Sequence, residues 1–498
     1  MKWSKGQEAV LSTGGNLLVS ASAGSGKTAV MVEKVLRLVK EGTDIRRILL
    51  MTFTRAAAAE MKEKLVKKMY EAASKADGEK VKEQLANLPF ASIETIDGFC
   101  YRMARQYFNV VGCDPSASIG EDKAMEKALF DCATKVMEES FVKEDADFLR
   151  AADFFRKNRS YEPYKQTVID IIKFASSRPN RDGFYRACAG DNSDAVEKFY
   201  LNYRRNEIAL LIKDVTGFID ECESENFFFD ELYTDIVKRL EAAKEAVTVA
   251  EFFSPVENVI VPRKINVNKV KKGEVSEELA DLSGRVNARI KSFLSGVVGD
   301  AQAYRSGGSE QQRAIKRSLS ESCIETEKAY AAYKKKRNLI DMRDATDYAL
   351  KALDDEKTRK EVSEKYDYVF VDEYQDTNYL QETLIERITS DNLFSVGDVK
   401  QAIYHFRSAE PDIFLKRESR YDTLGEGSNR YLNVNYRSCE EVLDFTNRVC
   451  DAIMVKDFCG IDYKNTARLG YGGLERPIKG VDPVSVFIDS SEDPPTHP

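Results

Sequence analysis

The chain has 498 residues, 43% of them hydrophobic, with a formal net charge of −8. At about 100–200 residues per domain that length predicts about three domains, each able to bury its own core. No apolar run approaches the ~20 residues of a membrane span, and nine cysteines without a C-x-x-C pair beside only two histidines, His405 and His497, speak against structural zinc and for reduced thiols in a soluble, cytoplasmic protein.

The first predicted elements are a short strand through Leu17-Leu18-Val19 and a helix that begins at Lys27 and carries Val30, Val35 and Leu38 on one face. Between them stands Ala21-Ser22-Ala23-Gly24-Ser25-Gly26-Lys27-Thr28. Strand, glycine loop and helix make the context of a phosphate-binding loop: successive backbone N–H groups turn inward, Lys27 reaches the β- and γ-phosphates, and the Thr28 hydroxyl can ligate Mg²⁺. Ala21 occupies the place of the usual first glycine. The next elements are a strand at 48–52 and a helix from Arg55 through Lys68, so the first hundred residues alternate in the manner of a doubly wound α/β domain.

From about Glu121 to Arg337 the texture changes to long, charged, helix-period segments with Phe and Tyr on the apolar face. Binding to phosphates depends on local cations rather than on net charge, and clusters occur at Arg263-Lys264, at 269–272 and at Lys334-Lys335-Lys336-Arg337. Such clusters are also ordinary solvated faces. Strand signals return at 366–371 and 393–396. The first delivers Asp372-Glu373-Tyr374-Gln375-Asp376 at its C-terminal end, where Asp372 can hold Mg²⁺ and Glu373 can polarise an attacking water. A further α/β pattern begins near Arg430, with a helix at 440–454 and a strand-like segment at 484–488. The predicted architecture is a doubly wound parallel α/β domain over 1–110 and 338–430, a mainly helical insertion over 111–337, and part of a second α/β domain over 431–498.

Three more strings stand in order with these: Thr52-Phe53-Thr54-Arg55-Ala56-Ala57-Ala58-Ala59-Glu60-Met61, Val396-Gly397-Asp398-Val399-Lys400-Gln401-Ala402-Ile403-Tyr404-His405-Phe406-Arg407, and Leu432-Asn433-Val434-Asn435-Tyr436-Arg437-Ser438. With the glycine loop and the Asp372-Glu373 segment they resemble motifs Ia, III and IV and the two nucleotide motifs of superfamily 1A helicases, the UvrD/PcrA-like group. Their wording, with Gly460-Ile461-Asp462-Tyr463, is most similar to the AddA family of AddAB helicase–nuclease subunits. The resemblance is strong at both ends of the chain and positional in the middle. It implies RecA-like domains, ATP and Mg²⁺ as cofactors, single- or double-stranded DNA and a second subunit of AddB type as partners, and work in double-strand-break repair and recombination.

Carried over by residue, the resemblance implies that Gln7 contacts adenine, that Ala21, Ser22, Ala23, Gly24, Ser25, Gly26, Lys27 and Thr28 cradle phosphate, and that Gln401 senses the γ-phosphate. Arg437 then acts across the cleft as an arginine finger and Arg407 bridges nucleotide and DNA. Single strands are held by stacking aromatics and backbone contacts; Phe53, Tyr404 and Phe406, with Thr54, Arg55 and Thr95, are the candidates. Thr95-Ile96-Asp97-Gly98-Phe99 stands where these helicases read T-x-H-S-F, and an anionic side chain there weakens binding to phosphate. His405 stands for a usual arginine, and Arg55 for a usual asparagine or similar polar residue.

No segment resembles the later helicase motifs or a nuclease domain, so the sequence reads as the N-terminal portion of a longer protein that binds ATP and turns it over weakly alone. Two other readings fit the same motifs. One is a UvrD/PcrA-like repair helicase without nuclease, which sequence beyond residue 498 would distinguish. The other is a non-catalytic nucleotide-binding and partner-binding module, in which loss of Lys27 would alter nothing beyond ATP binding.

Overall fold

In the computed structural model, short runs dominated by Val, Leu, Ile and Phe become strands, and residues 3–473 are described except 76–77, 191–192, 230, 307–308, 404–408, 455–460 and 462, together with residue 484. The strands are β1 (Leu17–Ala21), β2 (Ile48–Thr52), β3 (Ser92–Thr95), β4 (Ser118–Ile119), β5 (Leu339–Ile340), β6 (Tyr368–Val371), β7 (Leu393–Gly397), β8 (Ser428–Leu432), β9 (Val434–Asn435) and β10 (Gly470–Tyr471). Six of them form one sheet in the order β3-β2-β6-β7-β1-β8. Every pairing in it is parallel.

Unbroken apolar strands signal a sheet covered on both faces, and the period-2 alternation of side chains sorts them. Leu18, Leu49, Met51, Val369 and Val371 share one core with Phe99, Met103, Ala349, Leu353 and Leu384. Leu17, Val19, Ile48, Leu50, Phe370, Phe394 and Val396 share the other with Val35, Val39, Met61 and Leu65. Among the helices α1 (Lys5–Ser12), α2 (Lys27–Glu41), α3 (Arg55–Ala73), α4 (Glu79–Leu85) and α5 (Ile96–Gln106), α2 and α3 cover the second face. The first face is covered by α5 with the helices Met342–Asp354 and Tyr379–Ile388. The result is a mixed α/β architecture around a parallel sheet.

The edge strand β8 crosses the boundary expected at residue 430, because Tyr431 pairs with Ser20 and Leu432 with Ala21. β9 and β10 then form a separate two-stranded parallel sheet. The expected strand at 484–488 lies outside the described residues, residue 484 excepted.

The chain divides into two compact units, one of Met1–Leu129, Ile171–Arg181 and Tyr330–Pro498 and one of Phe130–Asp170 and Asp182–Ala329. The pairing of β4 with β5 keeps residues on both sides of the long excursion within the first unit. In the second unit Ile208, Leu211, Val215 and Phe218 form an apolar stripe on the helix Ser193–Ser224. It packs with Tyr233, Ile236 and Leu240 of Leu232–Lys244 and with Val286, Ile290 and Val297 of Glu277–Ser306. No helix among the described residues is long and apolar enough to cross a membrane.

Candidate functional site

A parallel sheet gathers the C-terminal ends of its strands at one edge, where ligands bind in such folds. Here the register levels them: Ser20 lies beside Gly397, Ala21 beside Leu432, Val371 beside Ser395 and Met51, and Thr52 beside Thr95. The loops that leave these ends are the motif strings read in the sequence. Segments hundreds of residues apart therefore converge on one rim.

The glycine loop turns through two left-handed positions, Gly24 at φ 70° and Gly26 at φ 89°. Gly26 caps α2, whose first turn holds no acid, so the N-terminal N–H groups and the helix dipole face an anion. Ser25 Oγ is buried and among the described residues has no hydrogen-bond partner, as a loop shaped for a ligand leaves it. Ala21 needs no glycine freedom, because it is still part of β1 and fully buried. Gln7 donates from Nε2 to the Ser25 carbonyl at 3.0 Å and accepts from the Ser4 N–H at 3.1 Å, which ties α1 to the loop.

The opposite wall comes from β6. Lys27 Nζ lies 3.2 Å from Glu373 Oε2, and Gln375 Nε2 donates to the same oxygen at 2.9 Å. Glu373 is held at φ 50°, a conformation that costs a non-glycine residue about 1–3 kcal/mol and persists only where its surroundings enforce it. Burial first, then the adjacent Glu373 carboxylate, push the Asp372 carboxyl up to about 6. The same two causes push Asp376 up to about 6, and among the described residues its buried Oδ1 has no hydrogen-bond partner. Hard oxygen donors suit Mg²⁺; Thr28 and Asp372 would hold it. A raised carboxyl keeps its proton below about pH 6 and must lose it to bind a cation. Mg²⁺-dependent nucleotide binding is therefore expected to weaken as pH falls from 7.5 to 5.5, more than Mg²⁺-free binding does, as parallel titrations at the two pH values would show.

β7 lies between β6 and β1, so its loop enters the gap between these walls. Asp398 organises it, accepting from Gln401 Nε2 at 2.7 Å and pairing with Lys400 Nζ at 2.7 Å. Gln375 Oε1 accepts from the Asp398 N–H at 2.8 Å, and Lys400 Nζ reaches Ser22 Oγ at 3.4 Å. From β8 and β9 comes a third wall. Asn435 donates from Nδ2 to the Ala23 carbonyl at 2.9 Å, and the Tyr436 N–H donates to the Gly24 carbonyl at 2.9 Å. Asn435 Oδ1 accepts from the N–H groups of Arg437 and Ser438 at 2.7 and 2.9 Å. The exposed Arg437 thereby starts its side chain beside Gly24, where an added Cβ would stand 2.9 Å from Arg437 Cβ.

At the β2 and β3 ends Phe53 is half-buried and lines a cavity of about 200 Å³ with Thr52, Ile96, Asp97, Arg343 and Gln381. Thr54 and Thr95 are N-caps: their hydroxyls accept from the N–H groups of Ala57 at 3.1 Å and Gly98 at 3.0 Å. Arg55 is exposed at the start of α3. Tyr404, Phe406 and Arg407, with His405, lie outside the described residues. The sequence reading passed over Gln375, Asp398 and Asn435 as individual groups. Their signal was position alone, since each stands inside a motif string whose other members carry the chemistry.

A model of the UvrD/REP helicase N-terminal domain matches residues 4–422. The chain is 30% identical, over 96% of its length, to the A subunit of the ATP-dependent helicase/nuclease of Alkaliphilus oremlandii, of which it covers 41%. The same figures against the protein of that name from Lactobacillus johnsonii are 30%, 96% and 42%. Against that from Anoxybacillus flavithermus they are 27%, 99% and 44%. The chain thus spans about two fifths of the length of these curated relatives. With the family model matched across most of its length and each motif loop on one rim, the chain belongs to the UvrD/REP helicase family, whose N-terminal domain it carries.

Proposed function

We propose that the chain is the ATP-binding motor portion of an AddA-type helicase–nuclease subunit, built on a RecA-like sheet and driving movement along DNA in break repair. The observation that carries this reading is the rim on which Lys27 and Glu373 stand 3.2 Å apart, with the Gln401 loop between their strands. Lys27 and the N–H groups at Gly24 to Thr28 bind the triphosphate. Thr28 and Asp372 would hold Mg²⁺, which when bound would supply neutralisation of phosphate charge. Glu373 orients and deprotonates the attacking water, and Gln401 leaves Asp398 to sense the γ-phosphate. Arg437, whose backbone is pinned to the glycine loop through Asn435, supplies positive charge to the transition state. Gln7 sits where adenine would be recognised. Its amide then exchanges part of its present bonding.

Phe53 and Arg55 take the DNA strand at the β2 end, by stacking and by charge, while Tyr404 and Phe406 contribute stacking and Arg407 bridges DNA and nucleotide. Thr54 and Thr95 contribute by fixing the helix starts beside it. A second subunit of AddB type completes the machine. The test is binding of a fluorescent ATP analogue with Mg²⁺, together with hydrolysis in the presence and absence of oligo(dT). Lys27→Ala is expected to weaken nucleotide binding about 10- to 150-fold, the range for hydrogen bonds to charged groups. Wild-type chain that binds no nucleotide, or a Lys27→Ala variant that binds normally, refutes the motor.

A further inference from the structure

The second unit carries a cleft of about 580 Å³ that takes no part in the nucleotide rim, with Phe218, Phe228, Tyr233, Arg263, Lys264 and Lys269 in its lining. Its floor is apolar and fixed: Phe218 and Tyr233 are buried, with ring centroids 4.8 Å apart. One lip is the run Phe227-Phe228-Phe229, which leaves the helix Ser193–Ser224 through Asn226 at φ 53°. The Phe227 N–H donates to the Cys222 carbonyl at 2.8 Å, so this exit is a defined turn. Phe228 is 84% exposed.

The other lip is cationic and equally well anchored. The Pro262 carbonyl accepts from Asn287 Nδ2 at 3.1 Å, and the Ile265 N–H donates to Ser283 Oγ at 3.0 Å. Arg263 and Lys264 project between these two anchor points and are exposed. Lys269 Nζ stands 4.6 Å above the Phe227 ring. Among the described residues no ion pair joins Arg263, Lys264 or Lys269 to a carboxylate, and Glu231 is the one acid among the described lining residues. An exposed phenylalanine alone means little, and neither does a lysine run. A preformed aromatic lip facing three cations that pair with no carboxylate among the described residues has a particular chemical complement: a flat ring on an anionic backbone.

We propose that this cleft binds unpaired nucleotides of a DNA strand, with a base stacked on Phe228 and phosphates on Arg263, Lys264 and Lys269. It is a contact that shares no residue with the Phe53 edge of the sheet. It rests on the motor reading only for the choice of DNA as the polymer. Stacking on one aromatic is tolerant of sequence, and each neutralised phosphate adds about 0.7 to the salt slope of single-strand binding.

The experiment uses the full chain and an oligo(dT) carrying 5-iododeoxyuridine, photocrosslinked and mapped by peptide mass spectrometry, beside anisotropy titrations across a salt series. Crosslinks are expected in the peptide containing Phe227 to Phe229. Phe228→Ala is expected to lower single-strand affinity about fivefold or more. The pair Arg263→Ala and Lys264→Ala is expected to reduce the salt slope by about 1.4. Nucleotide binding and the thermal transition of each variant should match the wild type, which shows that the fold is intact. Crosslinks at Phe53 alone, with affinity and slope unchanged, overturn this proposal and leave the sheet-edge contact standing, with the cleft then open to a protein partner. Crosslinks at Phe228 alone sustain it and overturn the sheet-edge contact. Absence of both overturns both, and an equal or larger loss on blunt duplex than on single strand assigns the cleft to duplex and overturns it too.

Discussion

Glu373→Gln is expected to tighten nucleotide binding by up to about fivefold while lowering hydrolysis about 10²- to 10⁴-fold. The two effects have separate causes. On the rim Glu373 Oε2 holds Lys27 Nζ at 3.2 Å, so an incoming phosphate must take the lysine away from a carboxylate. The glutamate side chain of this pair is 36% exposed, and partly exposed pairs are worth about 0.2–1 kcal/mol, which bounds the gain in affinity. Removing a general base, by contrast, costs about 10²–10⁴ in rate. The substitution is nearly isosteric, so Gln375 and the strained backbone at position 373 keep their places. Isothermal titration with a non-hydrolysable analogue, beside single-turnover hydrolysis, reads the two effects apart. A variant that binds more weakly than wild type would show that the ion pair does not compete with nucleotide.

Phe370→Ala is expected to destabilise the first unit by about 3–5 kcal/mol, the usual range for removing a fully buried aromatic. Phe370 has no exposure and sits in the middle of β6, with its ring 4.9 Å from that of Phe394 on the neighbouring strand. β6 runs between β2 and β7, so a cavity here loosens the strand that carries Asp372 and Glu373. Against a total stability of about 5–15 kcal/mol the loss is large. Urea unfolding followed by circular dichroism would measure it, and the helical second unit gives an internal reference. A loss below about 1 kcal/mol would mean that the core refills the space.

The residues of the rim were legible because each motif is local. Asp372-Glu373 follows an all-apolar strand, and Gly24 to Thr28 opens a helix; both patterns survive translation into any fold that keeps the strand ends together. The alternation of faces was less legible. Buried parallel strands read as continuous apolar runs, so nothing in Tyr368-Val369-Phe370-Val371 says which side meets α3 and which meets α5. Thr54 and Thr95 show a different limit. A threonine before a helix is both a good cap and a plausible nucleic-acid contact, and only the bonds to Ala57 and Gly98 assign the first role.

By itself the sequence determined the residue types that can bind phosphate, hold a cation and move a proton, and it determined their order along the chain. Strand order, and with it the meeting of those residues, was decided by tertiary structure. Residues 27, 373, 401 and 437 come together because β7 inserts between β6 and β1 and β8 closes on the other side of β1. The roles of Gln375, Asp398 and Asn435 also exist only in that arrangement. Gln375 and Asn435 use polar side chains to satisfy backbone groups contributed by distant segments, the Asp398 N–H and the Ala23 carbonyl. A buried polar group must find a partner wherever the fold places one, and sequence proximity does not say where that is.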